Sequence, residues 1–500
     1  MQFPHENRRD VTPWRLYVCF MCVAVGTHRV RPFCAAVGRD LRLREVASFR
    51  RAGAVASRQP QNGWMFVFYK KQNSIFIQIC FLYSTKFSYI CTVKPHGNME
   101  IINRPDYTGK VMRLFGKGLI IALTGQRRVG KSFIMKQIIN LLDAEKSNNI
   151  IYVDKDDERF NFIRSHVELT EYVEGKLISG ENNYLFVDEV QNISEFELAL
   201  RSLHTREACE IVITGSNAKM LSSELSTYLS GRCVEYHIQS LDYSEFLAFH
   251  RLLDNNQSLI SYLNHGGMPQ LSRIGLDEKD LVNDYLQSVY NTIILKDVVE
   301  CEDIRNVSLL KNLVRFVGDN IGKPFSATSI VKYLKSQQVD SSTKVILSYL
   351  DYLCNAFIIH RVNRYDIHGK RLFEINDKYY FEDIGIRNSL VQGGLAQSIE
   401  KIIENAVYLH LVRLGYEVTV GCLQKAEIDF VAKRNESVVY VQVTYLLPTE
   451  ETVLREFGNL MLIKDNYPKY VVSMDELYEN KDYQGIRHMH LRRFLSTKEL

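Results

Sequence analysis

Eight residues, GQRRVGKS at 125–132, have the types and spacing of a phosphate cradle. They fit G-x-x-x-x-G-K-[ST] and lie between an apolar run, LIIALT (119–124), and an amphipathic one, KSFIMKQIINLLD (131–143). Gly125 and Gly130 let main-chain N–H groups turn inward around phosphate oxygens, and a helix beginning at Lys131 adds a favourable dipole. Lys131 puts a point charge on the β- and γ-phosphates, and Ser132 offers a hydroxyl to Mg²⁺. The candidate ATP-binding set is Gly125, Gln126, Arg127, Arg128, Val129, Gly130, Lys131 and Ser132. A second acidic feature completes it. In YLFVDE (184–189) Asp188 ends an apolar strand, where it can hold the Mg²⁺ shell, and Glu189 can orient and deprotonate an attacking water.

These groups need a scaffold that brings strand ends together. From residue 119 short apolar runs alternate with helical patterns. LIIALT, NIIYVD (149–154), YLFVDE and EIVITG (210–215) are strands, and SEFELALRSLH (194–204) is a helix. In the helix at 131–143, Phe133, Ile134, Ile138, Leu141 and Leu142 recur at helical spacing. Continuous apolar strands alternating with helices predict a parallel sheet covered on both faces, an α/β fold. Residues 251–320 are mostly helical, with a GGMP break at 266–269 and a long amphipathic helix at 284–300. Residues 325–375 read helix, turn, helix and a hairpin around Gly369, the pattern of a winged helix. The last unit opens with a helix and continues in strands. The expected division is 99–250, 251–320, 321–394 and 395–500.

The phosphate loop, LFVDE, ITGSNA (213–218) and LSGR (229–232) together resemble a prokaryotic AAA-type P-loop ATPase. The resemblance implies that the ITGSNA strand lies between the two strands carrying the loop and Asp188, with Thr214 or Asn217 sensing the γ-phosphate. It also implies an arginine finger at Arg232, acting on its own nucleotide or a neighbour's. GGMP, the winged-helix segment and YYFEDIGIRNSL (379–390) narrow the resemblance to a family of bacterial and archaeal ATPases carrying a C-terminal domain of unknown function. It covers about residues 100–475.

The closing unit resembles restriction-endonuclease-like, PD-(D/E)xK-type folds. Those place a Glu on a helix, an Asp on a strand and (D/E)-x-K on the next. Glu404 and Asp429 occupy the first two positions, and Gln442-Val443-Thr444 stands at the third. Gln442 lacks the carboxylate's charge, Thr444 cannot replace a lysine, and Lys425 and Lys433 lie on other segments. The expectation is a degenerate site without cleavage. In the wing, HRVNRYDIHGKR (360–371) gathers Arg361, Arg364, Lys370 and Arg371. They either grip DNA phosphates or belong to a hairpin packed on the ATPase.

Bulk charge is unevenly spread. Residues 1–98 hold 15 Lys+Arg and 4 Asp+Glu, whereas the remaining 402 hold 47 and 54, a net of −7. The body therefore has no broad electrostatic affinity for nucleic acid, and any such surface is a local patch. Half of the ten cysteines precede Met99 and no helical or strand period is sustained there. The segment 1–98 is expected to be a poorly ordered, non-native extension produced by upstream translation. The scattered cysteines after Met99 fit a reducing cytoplasm, and no run after Met99 is long and apolar enough to cross a membrane. The function expected is an ATP-hydrolysing switch or remodeller acting on an unknown protein client or DNA, with a homo-oligomer as one arrangement. The alternatives are an ATP-dependent nuclease in defence or mobile-element function, and a non-catalytic, nucleotide-gated binding module.

Overall fold

The computed structural model describes residues 102–144, 147–218, 231–302, 304–372, 376–391, 394–424, 426–478 and 481–500, together with five strands among the first hundred. Met1–Glu100 and Ile101–Leu500 are separate compact units. In the first, Trp64–Lys71 pairs antiparallel with Ala54–Arg58 and with Ser74–Phe81, and Val18–Met21 pairs with Pro32–Ala35. Two of these strands fall on apolar runs where the sequence shows no period. The expectation of poor order for the rest of 1–98 lies outside the described residues.

In the second unit, five strands form a sheet in the order Cys233–His237, Ile120–Thr124, Glu210–Gly215, Asn182–Asp188, Asn148–Asp154. All neighbours are parallel, which gives a P-loop NTPase sheet. Successive side chains point to opposite faces, and both faces are buried. Ile121, Leu123, Phe186 and Val212 pack with Ile134, Met135, Ile138 and Leu142 of the Lys131–Asp143 helix. Ile120, Ala122, Leu185, Val187, Ile211 and Ile213 pack with Leu169, Val173, Leu200 and Leu203 from helices on the other side. Phe133 and Leu141, expected on the apolar stripe, are exposed. The buried stripe runs through 134, 138 and 142, and a residue one step away is turned about 100° round the helix.

The expected long helix at 284–300 starts earlier, at Lys279, and changes winding. Lys279–Thr292 is α-helical and Ile293–Val299 is a π-helical stretch. Three helices follow, Val307–Asp319, Ala327–Ser336 and Thr343–Asn355, then the antiparallel pair Ile359–Val362 and Lys378–Phe381. The hairpin around Gly369 is present, with Tyr365 opposite Leu372 and Asp366 opposite Arg371. It does not stand free, because Arg364–Asp366 pairs with Glu417–Cys422 at the edge of the C-terminal sheet. That sheet has eight strands and includes the antiparallel series Glu417–Cys422, Glu427–Arg434, Ser437–Val443. The helix Gly394–Arg413 packs against it.

The largest core runs from the ATPase sheet through Leu310, Leu313, Leu350 and Ile359 to Phe381. It crosses the boundaries expected near 250 and 320 without a break. Among the described residues, no helix is long and apolar enough to cross a membrane, and Cys209, Cys233, Cys301, Cys354 and Cys422 are free thiols.

Candidate functional site

The loop 125–132 leaves the C-terminal end of Ile120–Thr124 and enters the helix at Lys131. Gly125 adopts φ +139°, and a Cβ there would come within 2.2 Å of the Ile238 carbonyl oxygen. Any side chain would push the loop off the neighbouring strand. Lys131 is almost fully buried, and its Nζ donates to the Gly125 and Gln126 carbonyls at 2.9 and 3.1 Å. Burial pulls its pKa down, while Glu189 and Asp188 partly offset that. Arg104 holds the loop from behind, donating to the Val129 carbonyl at 3.0 Å while paired with Glu245 at 2.7 Å.

The acidic side assembles at the end of the adjacent strands. Asp188 is buried, and burial raises its pKa against hydrogen bonds from the Thr214 and Ser132 hydroxyls. Thr214 also accepts the Glu189 N–H at 2.9 Å. It is thereby tied to the main chain and carboxylate of the VDE segment. Glu189 is buried, sits at φ 53° and accepts a hydrogen bond from Gln191. The strand Glu210–Gly215 lies between those carrying the loop and Asp188, as the AAA resemblance implies.

One residue of this site was not legible in the sequence. Asp297 projects from the π-helical stretch, is buried, and binds Arg127 through both oxygens at 2.8 and 3.0 Å. The same carboxylate accepts the Ser216 hydroxyl at 3.2 Å, and its main-chain oxygen accepts the Asn217 amide at 3.2 Å. Such stretches shift register by one residue and often occur at functional positions. Asp297 lies within an acidic-apolar helical pattern, LKDVVE, that carries no distinguishing spacing. Asp297→Asn is expected to lower ATP turnover by up to roughly 100-fold, since it loosens the carboxylate's hold on Arg127 of the loop and on Ser216 together. Native turnover with unchanged melting would remove Asp297 from the site.

The GGMP break is a packing device for the same loop. Gly266 has φ 70°, and a Cβ there would lie 2.3 Å from the Gly385 nitrogen. The Gly267 N–H donates to the Asp383 carboxylate at 2.8 Å, and Pro269 lies beside Gly130.

Arg232 is not brought to this site. Its carbonyl accepts the Ile120 N–H at the opposite end of the sheet, and its side chain is exposed. Five strand residues at about 3.3 Å each separate it from Gly125 by roughly 16 Å. Its own loop is out of reach, so a finger role requires a neighbouring copy.

The second candidate site differs from expectation in a specific way. Glu404, Asp429 and Gln442 do converge, and a lysine is present after all. Lys378, from the strand before the closing unit, places its Nζ 2.9 Å from Glu427, 3.0 Å from Glu404 and 3.5 Å from Asp429. The expectation that 442 and 444 supply no ammonium concerned those positions alone, and the ammonium at this cluster comes from another segment. Linear spacing missed it because Lys378 precedes Glu404 in the chain and comes from another sheet. Tyr380 donates to Glu404 at 2.6 Å, and the Val443 N–H donates to Asp429 at 2.9 Å. Burial and the Glu404 charge raise the Asp429 pKa. Gln442 is turned to structural use: its oxygen takes the Asp429 N–H at 3.4 Å and its amide donates to Glu456 at 3.1 Å. Thr444 is buried and contributes no charge. Lys425 lies outside the described residues.

The four basic residues of the segment 360–371 divide. Arg361 is engaged by Asp351 and the Tyr379 hydroxyl, and Arg364 lies 3.9 Å from Glu427. Lys370 and Arg371 are exposed, the latter 3.8 Å from Asp366.

Comparison with known proteins agrees with this geometry. Residues 117–247 match the AAA domain family, and residues 256–397 match a domain of unknown function (DUF8612). An uncharacterized protein of Haemophilus influenzae is 32% identical over 395 residues, covering 77% of this chain and 96% of that one. An uncharacterized Methanocaldococcus jannaschii protein is 28% identical over 333 residues, 64% of this chain and 71% of its own. Among solved structures, a Walker-type ATPase of Pyrococcus abyssi superposes with a TM-score of 0.41 at 16% identity, covering 58% of this chain and 95% of its own.

Proposed function

The chain belongs to the family of AAA-domain proteins that includes the Haemophilus influenzae relative, and from that premise we propose that it is an Mg²⁺-dependent ATPase that works as a nucleotide switch. The observation carrying this reading is that Asp297, on a helix after the ATPase sheet, binds the phosphate loop through Arg127 and the sensor segment through Ser216 and Asn217. A change at the phosphates reaches that helix through these bonds, and the continuous core carries it as far as the Lys378–Phe381 strand and Ile386.

The residues fit the nucleotide. A cradle that excludes a Cβ, a buried ammonium on the loop carbonyls and a hydroxyl–carboxylate pair are the donors that phosphates and Mg²⁺ require. ATP supplies the phosphoric anhydride. Lys131 holds its β/γ end, while Ser132 and Asp188 hold the cation. Glu189 orients the attacking water and takes its proton on the carboxylate. Asn217 positions the γ end. Arg232 of a second copy serves as the finger in a homo-oligomer. The nuclease-like unit is inactive, because its ammonium lies among the carboxylates that a divalent cation would need. It serves as a contact surface for a protein client, and DNA is met instead by the exposed Lys370 and Arg371 of the hairpin around Gly369, in the cytoplasm.

Lys131→Ala is expected to abolish nucleotide binding and turnover, read by fluorescent-nucleotide titration and phosphate release. Binding of ATP at wild-type affinity by a folded Lys131→Ala protein would overturn the assignment.

A further inference from the structure

We propose that His237, His360 and Glu382 bind a divalent transition metal of the zinc class, separate from the Mg²⁺ of the phosphate loop. The three come from different parts of the chain. His237 ends the ATPase strand Cys233–His237, His360 lies on Ile359–Val362, and Glu382 follows Lys378–Phe381. Their ligating atoms all lie within 4.8 Å of one another. Both histidines present the same nitrogen, Nε2, to one carboxylate. His237 Nε2 is 3.2 Å from each Glu382 oxygen, and His360 Nε2 is closer still to Oε2.

Those spacings suit a metal. Zinc bonds of about 2.0–2.1 Å at tetrahedral angles place adjacent ligand atoms roughly 3.3 Å apart. The His237–Glu382 edge already has that length, and the His360 ring needs only to withdraw. Two imidazole nitrogens and one carboxylate oxygen select zinc-class ions over Mg²⁺ or Ca²⁺, which prefer oxygen sets. Charge points the same way. Glu382 is completely buried, and its side-chain partners are the two imidazoles. A divalent cation held between them would give that buried carboxylate a direct countercharge. The imidazoles stay partly open, His237 at 24% and His360 at 17% side-chain exposure, so a fourth ligand can enter from solvent.

The location ties the site to the ATPase. His237 is paired with Thr124, the residue before Gly125. Its ring lies 4.7 Å from that of Phe357, whose carbonyl accepts the Gln126 amide at 3.0 Å. A bound ion would therefore fasten the sheet edge beside the phosphate loop to the strands that follow.

The test uses the full chain, chelator-treated and free of nucleotide, titrated with Co²⁺ by absorption and with Zn²⁺ by thermal unfolding. The expected result is one Co²⁺ with the intense d–d bands of a four- or five-coordinate site and no thiolate charge-transfer band, together with a Zn²⁺-dependent rise in Tm. His237→Ala and Glu382→Gln should each weaken binding by more than about 100-fold, beyond the 10–100-fold typical of groups that only support a ligand. Should Glu382→Gln fail to fold, His237→Ala, at the partly exposed rim, decides alone. Lys131→Ala should bind Co²⁺ as the wild type does, so loss of the ATPase reading leaves this one standing. Weak octahedral Co²⁺ spectra in the wild type, or identical titrations in wild type and His237→Ala, would overturn the proposal.

Discussion

Replacing Glu189 with Gln is expected to leave ATP binding intact and to cut turnover by about 10²–10⁴-fold, the range for loss of a positioned proton acceptor. The side chain keeps its size and its place beside Gln191 and loses only its basicity. The phosphate cradle is untouched, because Lys131 bonds to the Gly125 and Gln126 carbonyls and Glu189 touches neither. A fall in kcat with unchanged nucleotide affinity is therefore the signature, measured by phosphate release beside equilibrium binding. The variant should also hold the ATP-bound form long enough to capture a client. Turnover at the wild-type rate would mean that another group activates the water. Asp188 could not be that group without giving up its bonds to Thr214 and Ser132.

What the sequence discloses depends on how local the determining physics is. The phosphate loop, VDE and four of the five parallel strands follow from contiguous patterns: a fixed spacing of Gly, Lys and Ser, and apolar runs that pleat into a sheet buried on both sides; the fifth, Cys233–His237, alternates polar and apolar residues and was not legible. Asp297 was hidden because its significance lies in a change of helical winding, which apolar periodicity does not report. Lys378 was hidden because its partners lie 26 to 51 residues away on other elements. The partners of Thr214 and Asn217 were also hidden: Thr214 bonds to Asp188 and Asn217 to the Asp297 carbonyl, both far away in the chain. Arg232 shows the converse. Its neighbourhood resembles a finger motif, yet strand direction places it at the wrong end of the sheet for its own loop.

Lys378→Met is expected to destabilise the protein by up to about 3 kcal/mol, the low end for breaking a buried pair, because it leaves the partly buried Glu404, Glu427 and Asp429 together without their shared cation. The loss should be largest near neutral pH and shrink as pH falls, since protons can then neutralise the carboxylates in place of the ammonium. Mn²⁺ or Mg²⁺ should restore part of the lost Tm in the variant and leave the wild type almost unmoved. That contrast separates an ammonium standing in the cation's place from a lysine working beside one. In the first case the wild-type protein shows no metal-dependent cleavage of DNA or RNA, with or without ATP, because Lys378 occupies the carboxylates and Gln442, spent on the Asp429 N–H and Glu456, adds no charge of its own. In the second, wild-type protein cleaves, and both Asp429→Ala and Lys378→Met abolish cleavage. The three close contacts of Nζ favour the first outcome: a cation held at 2.9–3.5 Å from every acidic group of the cluster leaves no carboxylate uncommitted for a second one.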